Sequence, residues 1–449
     1  MPPKVEKCMT IFLWPFYLVD SIGLHLGPEA TNTRFSLSPP WREVPDGERL
    51  WEHARATEYF DPQTLCTFSS EWEFPDFLVI YDQPSRTCRT SWRITPVVTV
   101  FASGFCILRL RGVPENDLTL PELINFNEHF RYLKLMEFQR TKLRETYCYR
   151  VSWIGEWERK VASEQFLHTG ELLNQILGSF LPCDVKPSPC LEGFSKMICC
   201  SAVIADGVQP RDRFRLATVD EADSFLPHED YWRRLEGAVH YSRWEPHQFF
   251  AFTNYSMCWL MDKSIPGWLE EQAFSDHMPV LYAGIIGQTL VHQCGALSVL
   301  SRDLALIEAD PGQRGFAGKA RDLRREILNF TNHAWFERVT FEVQGHEMYC
   351  AWREALEVEG LFKEVQRELE ETDDWLRAER AETQNRLLAG LQRWVAAVAF
   401  TGIALAAIPG AFGESNMISW VAARVWGLAL AFGGVGFLLA HLTLRRGAR

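Results

Sequence analysis

Apolar positions along the chain fall into three regimes. Up to about residue 270 they come in short runs rich in β-branched and aromatic residues, closed by turn formers. Met9–Val19, Phe77–Tyr81, Pro96–Phe101 and Phe105–Leu110 read as strands on this basis. Leu118–Arg140 and Lys160–Leu181 instead space their apolar residues at helical intervals. In the second, Val161, Phe166, Leu172, Leu173, Ile176 and Leu177 gather mostly on one side. Cys183–Gly193 and Asp206–Arg213, rich in Pro, Asp, Ser and Gly, read as loops. The front of the chain is therefore expected to be a mixed α/β body.

From about Pro279 the pattern changes to long helices. Val280–Ala309 carries Leu281, Ile285, Leu290, Leu297, Leu300, Leu304 and Ile307. Gln288, His292 and Gln293 interrupt it and argue for an amphipathic helix in a bundle, not a membrane span. Asp310-Pro311-Gly312 ends it, and another helix is expected from Phe316 through Trp335. Val343 to Trp394 then contains no proline and little glycine. There Ala355, Val358, Phe362, Val365, Leu369, Thr372 and Leu376 recur three and four apart, a heptad seam of about three repeats. Such a seam needs partner helices, from this chain or from identical copies. Acidic residues crowd the other faces, most densely at Glu370, Glu371, Asp373 and Asp374.

The third regime is two uncharged apolar stretches, Trp394–Phe412 and Val425–Leu444. As helices each is roughly 28–30 Å long, the thickness of a bilayer's hydrocarbon core. The seam runs into the first through Leu391, Trp394, Val398, Thr401 and Leu405. Arg386 and Arg393 precede that stretch, and Arg445, Arg446 and Arg449 follow the second; the connection holds Glu414 and one arginine. The positive-inside rule then predicts an integral membrane protein with two spans and both termini cytoplasmic. The expected fold class is an α/β N-terminal cytosolic domain, a long-helix stalk and a two-helix C-terminal transmembrane hairpin. The expected boundaries are 1–272, 273–393 and 394–449.

Composition narrows the chemistry. A net charge of −12 without a basic face excludes nucleic acid as a partner. Twelve cysteines without a CxxC pair suggest reduced thiols packed in a cytosolic body. His346-Glu347 opens like a zinc-protease helix, but Cys350 stands where the second histidine belongs. No P-loop, GxSxG or dinucleotide glycine pattern stands out, and no active site is expected.

The order of body, acidic stalk helix, first span, short outward loop, second span and basic tail resembles the CorA-type divalent-cation transporters, best over Val280 to Arg449. Proteins of that family are homopentamers whose stalk and first span line a central pore, with a Gly-Met-Asn tripeptide in the following loop. Here that stretch reads Pro409-Gly410-Ala411-Phe412-Gly413-Glu414-Ser415-Asn416-Met417, without the tripeptide.

The resemblance implies an ion entrance at Gly413, Glu414, Ser415 and Asn416, where amide, hydroxyl and carboxylate oxygens would meet a hydrated cation. The same residues also suit an ordinary turn between two helices. Val398, Thr401 and Leu405 would line the pore, although a lone Thr in a membrane helix equally bonds its own backbone. Glu370, Glu371, Asp373 and Asp374 would be a cytoplasmic regulatory metal site or a solvated face. Arg445 and Arg446 would form a basic collar or anchor the helix at the headgroups. No cofactor is firmly implied; Mg2+ or another divalent cation enters as the transported or regulatory ion. The expected partners are copies of the chain itself, as a homopentamer, and the lipid bilayer. The expected function is a homo-oligomeric divalent-cation channel with a cytosolic regulatory domain. The alternative is a membrane-anchored sensor or effector on a similar scaffold that has lost selective Mg2+ transport.

Overall fold

A residue run such as Ile198–Ala205, with all eight positions apolar or small and all buried, has no polar face to offer water. It belongs inside a sheet covered on both sides, and that is how the body is built. The computed structural model describes residues 2–20, 42–43, 68–74, 76–82, 89–101, 105–133, 149–153, 165–180, 185–189, 196–220, 240–241, 247–308, 316–340 and 342–411, with single positions at 228, 230, 243 and 427. Contacts divide the chain into Met1–Leu369 and Glu370–Arg449, so the boundary expected at 272/273 falls inside the first unit.

Among the described residues the first unit is organised by one sheet of fourteen strands: β1 (Lys4–Asp20), β2 (Arg42–Glu43), β3 (Phe68–Glu73), β4 (Phe77–Asp82), β5 (Arg89–Phe101), β6 (Phe105–Pro114), β7 (Leu118–Thr119), β8 (Tyr149–Trp153), β9 (Gln165–Leu167), β10 (Val185–Pro189), β11 (Ile198–Ala205), β12 (His240–Tyr241), β13 (Gln248–Phe252) and β14 (Ser256–Met261). Its main path runs β12-β13-β14-β11-β1-β6-β5-β4-β8-β9. Neighbours are antiparallel except β11 and β14, which are parallel. The four strands expected from the sequence are β1, β4, β5 and β6, although β5 begins earlier than Pro96. That proline falls where β5 changes partner from β4 to β3, so its missing N–H interrupts neither ladder.

Successive residues of β1 point to opposite faces. Phe12, Trp14 and Phe16 join one apolar cluster, while Ile11, Leu13 and Tyr17 join the other. The first face is covered by α1 (Leu120–Phe130), α2 (Thr169–Phe180) and α3 (Pro210–Thr218). The second is covered by helices after Gly267: α4 (Gly267–Gln272), a π-helical stretch (Ala273–Gly287), α5 (Gln288–Glu308), α6 (Phe316–His333), α7 (Val343–Ala355) and the root of α8 (Val358–Ala411).

Several local expectations need correction. The helix expected over Leu118–Arg140 begins with strand β7 and is helical from Leu120 to Phe130, where Thr119 and Glu122 close a capping box; residues 134–148 lie outside the described ones. The stretch Lys160–Leu181 holds β9 before α2, because Glu171 accepts the His168 N–H and starts the helix there. Val185–Pro189 is not a loop but a strand paired with the end of β1. Its two prolines are tolerated because it lies off the main path of the sheet. Asp206–Arg213 already contains the start of α3 at Pro210, a favoured first helical position.

Pro279 does not begin a helix; it lies inside the π-helical stretch. Gly267–Ile307 is the one helical run among the described residues long and apolar enough to cross a membrane, with mean hydropathy 1.2 over its best window. However, 89% of that window is buried inside the protein, as in a core helix. Its polar residues are spent internally, not on an amphipathic outer face. Gln293 Nε2 donates to the Ala334 carbonyl at 2.9 Å and its Oε1 accepts from Tyr349 at 3.3 Å. Gly287 permits a close approach, since a Cβ there would lie 3.1 Å from both Leu13 and Trp352.

His292 is stacked on Phe101 at 4.4 Å and against Phe105 at 4.6 Å, and burial lowers its pKa to about 3. Between about pH 6.5 and pH 3 the unfolded chain therefore takes up a proton that the folded chain refuses. Stability is expected to fall through that window by up to about 1.4 kcal/mol per pH unit from this group. His292→Phe should flatten that acid limb, read as urea midpoints at several pH values. His168, also depressed by burial, leaves a residual slope.

Candidate functional site

The sequence places its expected sites toward the end of the chain. Gly413, Glu414, Ser415 and Asn416, with Arg445 and Arg446, lie outside the described residues. Thr401 and Leu405 are in α8, and Val398 on the same helix is half exposed. Glu370, Glu371 and Asp374 are exposed along α8 and Asp373 is half-buried. Asp374 meets Arg377 at 3.3 Å, both side chains largely in solvent, a pair worth little. Among the described residues no group of three or more His, Cys, Asp or Glu is arranged to hold a metal ion.

The heptad seam is not one helix from its first position. Ala355 closes α7, and the chain turns at Glu357, whose φ of +53° is left-handed and unusual for a residue with a side chain. The reason lies on either side. Trp352 is fully buried with Nε1 donating to the Thr253 carbonyl at 3.2 Å, and Val358 is fully buried six residues on. Both anchors must reach the core, and a straight helix would carry the second away. From Val358 the seam packs against its own chain. Val365 is buried, Leu361, Phe362 and Leu369 lie against the second-face cluster, and Phe362 stacks on Trp335 at 4.0 Å.

Beside this joint is a pocket of about 580 Å3, lined among others by Lys196, Tyr255, Cys294, Ser298, Glu357 and Leu361. It thus draws on the start of β11, the turn before β14, the middle of α5 and the α7–α8 joint. Ile198 and Val291 add apolar wall. Next to Lys196 is a charged knot that the sequence reading missed. Arg131, at the C-cap of α1 and 1% exposed, donates from Nε to Glu128 Oε2 at 2.6 Å and from Nη2 to the Val219 carbonyl at 3.2 Å. Its Nη1 is buried with no hydrogen-bond partner among the described residues.

Tyr132 Oη and Lys196 Nζ both donate to Glu128 Oε1, at 2.9 and 3.4 Å. The Arg131 guanidinium lies 5.4 Å from the Tyr255 ring centre, and Lys196 Nζ lies 4.2 Å from that of Tyr132. Burial, then the Arg131 charge, pull the Lys196 pKa below its ordinary value; Glu128 and Asp220 only partly oppose them. The i, i+3 spacing of Glu128 and Arg131 was the available clue to part of this knot; nothing in the sequence joined it to Lys196.

The His346-Glu347 pair has a different use. Glu347 accepts from Tyr241 and from Arg243 Nη1 at 2.7 Å, which hold its carboxyl below the usual range. His346 is 3.8 Å from the exposed Cys350 thiol, which partial burial pushes up. Cys8, Cys106, Cys199, Cys200 and Cys258 are buried, with Cys199 Sγ 3.5 Å from Ser201 Oγ, and burial raises each thiol, Cys199 and Cys258 to about 12. No protein-family model, no curated protein and no solved structure matches this chain.

Proposed function

We propose that this chain is a membrane protein on the plan of the CorA-type transporters: a homo-oligomer with two C-terminal spans per copy, both termini cytoplasmic, passing divalent cations. One observation carries the reading. Helix α8 runs unbroken from Val358 to Ala411, and along it Leu387, Leu388, Leu391, Trp394, Val395 and Val398 are each between 43% and 65% exposed. So many large apolar residues on one helix require cover, by lipid, by sister helices or by both. The spacing of Leu387, Leu391, Trp394 and Val398 continues to Thr401 and Leu405, which supports an axis-facing line. The acidic face at Glu370, Glu371, Asp373 and Asp374 would draw cations between copies.

The test begins with oligomeric state in detergent, because one two-span hairpin is too few helices to enclose a hydrated pore. Five copies and Mg2+ or other divalent uptake into proteoliposomes are expected. Glu414→Gln should lower uptake several-fold, most at low ionic strength, and Asn416→Ala should change ion preference. A monodisperse monomer rules the channel out.

The second reading, a membrane-anchored sensor, is favoured by the pocket at the root of α8 together with the missing Gly-Met-Asn tripeptide. It predicts an oligomer or monomer without flux, indifferent to both substitutions.

A further inference from the structure

We propose that the pocket beside the α7–α8 joint binds a small organic anion, its carboxylate or phosphate seated toward Lys196 and its apolar body over Ile198, Val291 and Leu361. The proposal rests on the pocket as a ligand site and is independent of the channel reading.

Size is the first argument. About 580 Å3 falls within the range of small-molecule sites, which are mostly apolar with a few polar groups that fix orientation. Here the apolar wall comes from a strand and two helices, and the polar groups are Lys196, Asn254, Tyr255, Ser298 and Glu357.

Charge is the second. The buried carboxylate nearest Lys196 is Glu128, and it is shared by Arg131, Tyr132 and Lys196 itself. Glu128 is shared by two cations, Asp220 adds a weaker attraction to Lys196, and among the described residues Arg131 Nη1 has no hydrogen-bond partner. The Lys196 ammonium is held less well than in water, so an added anion would stabilise it. Glu357, the other charged lining residue, is exposed and its charge is screened by solvent.

Position is the third. The lining residues Ala355, Leu356 and Glu357 are the joint itself. A ligand there ties the joint to the sheet and favours one setting of the α8 root over others.

The test uses the full chain in lipid nanodiscs with 4-phenylbutyrate, phenyl phosphate and the uncharged 4-phenylbutanol. Calorimetry reads binding, and amide hydrogen exchange reads residues 355–361. Either anion should bind and slow exchange at the joint, and which one binds tighter separates carboxylate from phosphate. Lys196→Gln should weaken binding tenfold or more, whereas Lys196→Arg should stay within about threefold. Ser298→Phe should abolish it by filling the space, since Ser298 Oγ donates only to its own helix at the Cys294 carbonyl. Equal binding of the alcohol, wild-type binding in Lys196→Gln or Ser298→Phe, or no binding of either anion at millimolar concentration overturns the proposal. No arm reads flux or subunit number, so a monomer that binds these anions sinks the channel and leaves the site standing.

Discussion

Trp352→Ala is expected to destabilise the body by about 3–5 kcal/mol, the range for deleting a large buried aromatic side chain. The indole is fully buried at the end of α7, near Phe252 at 6.0 Å between ring centres. It fills the space that Gly287 leaves open, and its N–H satisfies the Thr253 carbonyl. Truncation leaves a cavity and an unpaired buried carbonyl together. The loss should appear in urea unfolding, with Trp352→Phe recovering most of the packing but not the hydrogen bond. Because Trp352 lies four residues before Leu356, hydrogen exchange at Leu356–Leu361 should also rise. A loss below about 1 kcal/mol would mean that this side chain does not anchor the joint.

Arg131→Met should cost about 3 kcal/mol, the lower end for removing one partner of a buried ion pair. Glu128 would keep Lys196 and Tyr132, so its charge is not wholly abandoned. It would lose its shortest bond, and the Val219 carbonyl would lose its guanidinium donor. Adding Glu128→Gln to Arg131→Met should recover part of the loss, a coupling that a double-mutant cycle measures directly. If the two losses simply add, the pair contributes no interaction of its own. The same substitution removes the like charge beside Lys196, and the Lys196 pKa should move back toward its ordinary value.

The parts of the fold legible in the sequence were those whose side chains keep a distinctive rhythm. β1, β4, β5 and β6 carry aromatic and β-branched residues in runs bounded by turn formers, and α6 has a plain helical period. β11 and β14 were hidden because every position is buried on one face or the other, leaving no alternation to see. The joint at Glu357 was hidden for another reason. Neither Gly nor Pro marks it, and the turn is imposed by two buried anchors on either side of it, Trp352 and Val358. The pocket was illegible because its walls come from residues 196, 255, 298 and 357, which only the fold brings together. What the sequence did bring out, the exposed apolar run toward Val398, belongs to a helix whose pattern needs no tertiary partner to be recognised.

The unequal exposure of the thiols turns the protein into its own unfolding clock. A maleimide should label Cys350 on the native chain at once, whereas Cys199, Cys200 and Cys258 wait for the sheet to open. Mass spectrometry of those peptides would count opened molecules one site at a time. Adding Cys8 on β1 and Cys106 on β6 to the readout would report whether those strands or β11 and β14 open first.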